Sequence, residues 1–349
     1  MIDLQTYGWH DSLQPENAEG LPARVTAVHR ERYELVCAHG VTYGRLKTSI
    51  YYGQGAEFPT VGDFILLEYQ PDSDSLIIAT LPRRSFFSRV SKDKAGHVEQ
   101  VLAANFDVVF VMTSLNHDFN PARLERYLTL AWQSGAVPIV ALTKSDLTED
   151  FNEQMEAVQN IAVGVDVIAV SAVTGQGIDR LSAYLQPGKT AVFLGSSGVG
   201  KSSLVNALAG ETMMDVNNIR EDDSRGRHTT TYRQLIMLPN GTMVIDTPGM
   251  RELGMWDVST GLGEAFGDVE TVLSLGCKFT DCHHRSEPGC AIKAAIESGE
   301  LSTERWQSYL TLKHEAKYSE DKAGFLRDRQ QWHKQLAMRS KQNQKSRGK

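Results

Sequence analysis

Long hydrophobic runs are missing from this 349-residue chain. No stretch of about eighteen consecutive apolar residues occurs, so no membrane-spanning helix is expected. The first twenty residues, MIDLQTYGWHDSLQPENAEG, lack the basic start and apolar centre of a secretory signal. Both absences point to the cytoplasm. Cysteine is scarce as well: of four, three fall between 277 and 290. That is too few for a disulfide scaffold and suits a metal site better. Internal repeats are absent, and low complexity is confined to the Lys/Gln/Arg-rich end. A hydrophobic fraction of 41% with 23% charged residues fits an ordinary globular protein. The length allows two or three domains.

Positive charge is scarce over most of the chain and concentrated at one end. Residues 322–349 carry nine Lys/Arg against the single acid Asp328, a net +8, so the remainder carries −15 of the overall −7. Such a tail is either a solvated end or a basic arm for a phosphate backbone.

From Leu21 to about Pro82, five short apolar runs (ARVTAVHR, YELVCA, VTYGRL, DFILLEY, SLIIATL) alternate with turn signals. This predicts a small OB-like β-barrel. Arg24, Arg32, Arg45 and Lys47, with Tyr33, Tyr43, Tyr51 and Tyr52, are candidates for an RNA-facing surface or simply an exposed barrel face. LPRRSFFSRVSKDKAGHVEQ, residues 81–100, reads as a linker. Beyond Val101, apolar strands alternate with amphipathic helices. One helix opens at Pro121 and closes at Gly135. This alternation predicts a mostly parallel sheet covered on both faces. Asn240-Gly241 marks a two-residue hairpin turn. After Gly261 helical patterns dominate. The predicted organisation is an extension over 1–20, a barrel over 21–85, an α/β nucleotide domain over 86–260 and a mostly helical metal-binding domain over 261–349 with its basic tail.

GSSGVGKS, Gly195 to Ser202, satisfies G-x-x-x-x-G-K-[ST] between a strand and a helix. The backbone amides of Gly195, Ser196, Ser197, Gly198, Val199 and Gly200 would surround phosphates, with Ser203 extending the loop into the helix. Lys201 would reach the β and γ phosphates and Ser202 would ligate Mg²⁺. TKSD (Thr143, Lys144, Ser145, Asp146) lies at the C-terminal end of a buried strand, where open α/β sheets bind ligands. A carboxylate at Asp146 can accept from guanine N1–H and its N2 amine, a donor pair adenine does not offer, and the Lys144 stem can pack on the base. Ser171 and Ala172 end the next strand, and the Ala172 amide can reach the guanine oxygen. Asp246 and Gly249, in DTPG, are placed to hold Mg²⁺ through water and to sense the γ-phosphate. GRHTTT, Gly226 to Thr231, can bring a threonine to Mg²⁺. GTP is the nucleotide these boxes select.

Their order is unusual. In ordinary GTPases the phosphate loop comes first and the base-reading boxes last; here TKSD and Ser171-Ala172 precede GSSGVGKS, and DTPG closes the set. A circular permutation accounts for this without new chemistry, because domain termini often lie close together.

CKFTDCHHRSEPGC offers Cys277, Cys282, His284 and Cys290 as C-x4-C-x-H-x5-C. Three thiolates and an imidazole form a closed tetrahedral set, which favours one structural Zn²⁺ per chain. His283 competes for the imidazole position.

With its barrel, permuted boxes, GRHTT and DCxHxxEPGCA, the chain resembles the RsgA (YjeQ/YloQ) family of circularly permuted GTPases of small-ribosomal-subunit biogenesis, over nearly its whole length. The resemblance implies GTP hydrolysis to GDP, stimulated by the small (30S) subunit late in its maturation, with barrel and zinc domain gripping 16S rRNA. It implies zinc ligation by Cys277, Cys282, His284 and Cys290, leaving His283 out, and a Mg²⁺ and γ-phosphate contact at Thr230. Thr143 stands where Asn is commoner in the base-reading box, and Met250 follows DTPG where Ras-like enzymes carry the Gln that orients water. The resemblance instead points to His228 as the catalytic, water-positioning group. A monomer without membrane contact is expected. The rival readings are an RNA-binding module with a regulatory, barely hydrolytic guanine-nucleotide site, and a P-loop ATPase.

Overall fold

The computed structural model describes residues 1–16, 18–30, 32–51, 57–93, 96–214, 233–246, 259–284 and 287–316. Tyr52, His228, Thr230, Gly249, Met250 and the basic tail lie outside the described residues.

Five strands close a barrel: β1 (Leu21–His29), β2 (Arg32–Cys37), β3 (Gly40–Leu46), β4 (Phe64–Glu68) and β5 (Ser75–Thr80). Hydrogen bonding runs β1-β2-β3-β5-β4 and back to β1, with only β3·β5 parallel. A single helical turn, α1 (Thr48–Tyr51), follows β3. The barrel is filled by Ala23, Val25, Tyr33, Leu35, Tyr51, Ile65, Leu67 and Ile77. The first residues cover its outside. Leu4 and Trp9 bury against Val36, Phe64, Leu66 and Leu81, and the Trp9 ring meets Phe64 edge-on at 5.5 Å.

Three members of the expected RNA-facing group are interior. Tyr33 and Tyr51 belong to the barrel core, and Arg24 is 1% exposed. Arg24 lies between barrel and nucleotide domain. It donates to the carbonyls of Gly62 and Asn105, to the Thr190 hydroxyl and to the Tyr7 carbonyl, and lies over the Phe64 ring at 4.8 Å. Burial lowers its pKa to about 9. The exposed bases are locally matched: Arg32 and Arg45 both pair with Asp74, Lys47 pairs with Glu68, and Arg32 stacks 3.9 Å over Tyr43.

The expected linker is a hairpin. β6 (Phe86–Asp93) pairs antiparallel with β7 (Gly96–Ala104). Its charged middle masked the strand pattern in the sequence, while Phe87 at its base stacks on Phe106 at 4.9 Å and anchors it in the core.

The nucleotide domain follows as β8 (Val108–Ser114), α2 (Pro121–Gln133), β9 (Val137–Thr143), α3 (Asn152–Ile161), β10 (Val167–Ala169), α4 (Ile178–Ser182), β11 (Thr190–Gly195), α5 (Lys201–Ala209), β12 (Gln234–Met237) and β13 (Met243–Asp246). Asn120 caps α2 by accepting from the Arg123 amide, and Pro121 occupies its first turn, as the sequence suggests. The sheet order is β10-β9-β8-β11-β13-β12, parallel except for β12. The β12–β13 loop is longer than the expected two-residue turn. Leu238 N–H bonds to Thr242 O, and Gly241 (φ 81°) donates to Leu238 O. That is a three-residue connection with a left-handed glycine at its end. β12 then pairs with β1 at Gln234↔Ala27, so barrel and nucleotide sheet form one continuous eleven-stranded sheet.

Helix α6 (Ser259–Ala265) and helical residues 303–316 (α9) meet α2, α7 (Gly267–Ser274) packs against α6, and α8 (Ala291–Ser298) against α7. Phe266, Val269, Trp306 and Tyr309 share a core with Leu124 and Leu128. Gly261 lets α6 approach α2 closely, since a Cβ there would lie 2.2 Å from Thr129 O. Arg305 crosses this seam to Glu125 (2.8 Å) and Asp268 (2.9 Å).

Candidate functional site

In the parallel sheet the chain runs outward from β8 through β9 to β10, then returns to β11 on the other side of β8. The carboxyl ends of β8 and β11 therefore flank the point where strand order reverses, the usual ligand crevice of such sheets. The phosphate loop leaves β11 there. At Gly195 a Cβ would be crowded, 3.0 Å from Met112 O and 3.1 Å from Val199 Cγ1. Gly198 (φ 71°) and Gly200 (φ 103°) take left-handed conformations that bend the loop into α5. Lys201 Nζ donates to the carbonyls of Gly195 and Ser196, each at 2.9 Å, which holds the ammonium against the loop. Ser202 and Ser203 sit in the first turn of α5, half-buried.

The expected base-reading residues, TKSD and Ser171-Ala172, converge on this loop from β9 and β10. Thr143 is buried, and its hydroxyl lies 2.6 Å from Val199 O. A threonine at this position thus ties the base box directly to the phosphate loop. Lys144 adopts φ 59°, turning the chain so that Ser145 and Asp146 open a short 3-10 turn. The Ser171 hydroxyl donates to Asp146 Oδ1 at 2.5 Å and accepts from the amides of Val173 and Thr174. Asp146 is thereby held at the strand end with carboxylate oxygen available for a ligand. Ser145 Oγ meets Gln176 Oε1 at 3.0 Å, pinning the two boxes together. Ala172 is half-buried beside them. Asp246 ends β13, whose neighbour β11 carries the loop (Val192↔Ile245), so all four strand ends share one edge.

Sequence reasoning missed the turn after β8. There Asp118 Oδ2 accepts from Ser196 Oγ at 2.6 Å and pairs with Arg123 at 2.9 Å. Burial pushes the Asp118 carboxyl up, but the Ser196 and Arg123 contacts outweigh it and leave it below its ordinary value. The signal was legible in principle: two asparagines and an aspartate directly beyond a buried parallel strand.

A second cluster lies in the segment between α7 and α8. The donor atoms of Cys277, Cys282, His284 and Cys290 all lie within 4.8 Å of one another. His284 Nδ1 is 3.5, 3.7 and 3.4 Å from the Cys277, Cys282 and Cys290 sulfurs, and Cys277 and Cys290 sulfurs are 4.0 Å apart. His284 reaches inward from a left-handed backbone (φ 57°), whereas His283 is exposed and its amide donates to Glu287. The Ala291 amide donates to Cys277 Sγ (3.4 Å), which helps to lower that thiol's pKa. Trp306 from α9 meets the His284 ring edge-on at 5.5 Å. This Cys3His group can hold a metal ion. Among the described residues no helix is long and apolar enough to cross a membrane.

Residues 80–256 match the family described as RsgA GTPase. A Listeria monocytogenes (serotype 4b, strain F2365) protein named small ribosomal subunit biogenesis GTPase RsgA 2 is 44% identical over 320 residues, covering 91% of this chain and 90% of its own. A Methanosarcina acetivorans protein named small ribosomal subunit biogenesis GTPase RsgA is 38% identical over 349 residues, covering 98% and 94%. YjeQ from Thermotoga maritima matches in structure with a TM-score of 0.63 at 26% identity, covering 84% of this chain and 98% of that one. The structure of YloQ, described as a circularly permuted GTPase, gives 0.61 at 26% identity, covering 87% and 97%.

Proposed function

The chain belongs to the RsgA GTPase family, and from that premise we propose how its own residues carry the activity. It is a circularly permuted hydrolase of GTP that serves small-ribosomal-subunit biogenesis. The observation that carries the assignment of residues is the convergence of four strand ends on one edge of the sheet.

Asp146, oriented by Ser171, accepts from N1–H and N2 of guanine, and the Ala172 amide donates to the base oxygen. The amides of 195–200 surround the phosphates, and Lys201 exchanges its two carbonyl partners for phosphate oxygens. Ser202 and Thr230, with Asp246 through water, would hold Mg²⁺, which would supply charge neutralisation for the phosphates. Thr230 and Gly249 contact the γ-phosphate, and His228 positions the attacking water. Replacing His228 with Ala, with nucleotide affinity measured separately, tests the last role. Turnover stimulated by purified small subunits should collapse while affinity holds; unchanged turnover refutes it.

At the Cys3His group the metal is zinc, one per chain and structural. A tetrahedral zinc with Zn–S of about 2.3 Å and Zn–N of about 2.0 Å requires donors about 3.5–3.8 Å apart. The three His284–sulfur distances of 3.4–3.7 Å and the Cys277–Cys290 distance of 4.0 Å lie close to this, and all four donors fall within 4.8 Å of one another. All four positions are filled by protein, which leaves no site for substrate.

The extension 1–20 and barrel 21–85, the permuted domain 86–260 and the helical unit 261–349 act together on the 30S subunit and its 16S rRNA. The barrel and the basic tail face the nucleic acid. The protein works as a cytoplasmic monomer that alternates between GTP and GDP. The assay that tests the whole reading is GTP turnover with and without purified small subunits, where stimulation is expected and its absence overturns the partner assignment.

A further inference from the structure

The turn between β8 and α2 is built as a bracket. Asn116 Oδ1 accepts from the Ser114 hydroxyl (2.8 Å) and from the Asp118 amide (3.0 Å), and Phe119 N–H returns to Asn116 O. Asn120 then caps α2 through the Arg123 amide, which places Arg123 one turn along the helix and pointing back. Its guanidinium donates to the Asp118 carbonyl (2.5 Å) and pairs with Oδ2 (2.9 Å). The same Oδ2 accepts the Ser196 hydroxyl at 2.6 Å, a length in the range of charge-assisted bonds. Ser196 is the second residue of the phosphate loop, and its carbonyl is one of the two that hold Lys201.

We propose that Asp118, held by Arg123, is a positioning residue for the phosphate loop: through Ser196 it fixes the loop in the shape that presents its amides and Lys201 to phosphates. The proposal rests on the reading of Gly195 to Ser202 as the nucleotide site. The physical reason is entropic. A loop with glycines at 195, 198 and 200 has more backbone freedom to lose on binding than one of bulkier residues. Fixing it from the neighbouring strand end removes part of that loss before the nucleotide arrives. Arg123 also balances the carboxylate, so the bracket adds no unpaired negative charge beside the phosphates. If Asp118 served only to stabilise the start of α2, Ser196, which lies outside that helix, would be irrelevant to its effect.

The test uses the full-length, metal-loaded protein and fluorescent GDP and a non-hydrolysable GTP analogue. Asp118→Ala and Ser196→Ala should each weaken binding of the GTP analogue by about 5- to 30-fold. The double variant should be no weaker than the worse single one, because both remove the same bond. Asp118→Asn keeps an acceptor for Ser196 and should recover affinity to within about threefold of the unaltered chain. Unaltered affinity in either alanine variant overturns the proposal. So do losses that multiply in the double variant, or an Asp118→Ala effect confined to the unfolding midpoint. Absence of binding by the unaltered chain overturns the nucleotide reading itself and this proposal with it.

Discussion

Replacing Arg305 with methionine should loosen the helical unit from the nucleotide domain. Arg305 is 6% exposed and donates to Glu125, to both oxygens of Asp268 and to the Ala265 carbonyl, with Phe266 4.0 Å beneath its guanidinium. Burial lowers the pKa of the guanidinium, but its two carboxylates outweigh this and raise it, so it remains a cation throughout the working range. Methionine removes that charge but keeps much of the volume. Removing one partner of a buried pair costs about 3–5 kcal/mol, because the other is left as an uncompensated charge. The side chain of Glu125 is 5% exposed and carries most of this cost; that of Asp268, at 30%, can turn to water. The expected loss is therefore about 3 kcal/mol, near the lower bound. Adding Glu125→Leu should restore most of it, since the stranded charge is then gone. The assay is equilibrium urea unfolding of the metal-loaded protein with m-values compared across variants. A loss below about 1 kcal/mol would refute the reasoning. So would a double variant as unstable as the two single losses added together.

Three other outcomes follow from the same geometry. On the proposed base contact, Asp146→Asn replaces an acceptor of two charge-assisted bonds, each worth about 1.5–3 kcal/mol, so GTP affinity should fall by about 10²–10⁴; a fall under tenfold in a labelled-GTP titration contradicts the base assignment. Cys282→Ser should lower bound zinc well below one per chain by metal analysis and make the helical unit protease-sensitive, and full retention of zinc would remove Cys282 from the ligand set. Burial pushes the Tyr51 phenol from 10.0 up to about 12, against the opposing hydrogen bond with Thr80. The folded chain therefore keeps a proton that the unfolded chain releases. The resulting stability, on the order of 2 kcal/mol, is present below pH 10 and is lost as pH rises from 10 to 12. Tyr51→Phe should flatten that part of the stability profile, and identical slopes in the two proteins would contradict the assignment.

Much of the site was legible because its residues act through short spacings. GSSGVGKS declares itself by glycines that one loop needs, and the cysteine cluster by four ligands within fourteen residues. The preference for His284 over His283 came from family resemblance, and its physical basis is that His284 Nδ1 faces the cysteine sulfurs while His283 is exposed. The hairpin β6–β7 escaped notice because charged residues dominate its middle while a few aromatic and apolar residues near its base anchor it. Arg24 was misjudged for a related reason. An arginine in a polar-looking strand is normally exposed, and its acceptors at Asn105 and Thr190 are 81 and 166 residues away.

By itself, then, the sequence determined the candidates for the chemistry: the residues proposed to cradle phosphate and read guanine, a Cys3His group that can hold a metal, and the permuted order of the boxes. Local spacing suffices for these, since each motif is built by neighbours along the chain. Tertiary structure alone decided how the parts are joined. It placed β1 beside β12 so that barrel and nucleotide sheet are continuous, buried Arg24 at their junction, set Arg305 between α2 and the C-terminal helices, and brought Asp118 to Ser196. Each of these pairs residues far apart in sequence, and only the packing of whole layers brings such groups within hydrogen-bonding distance.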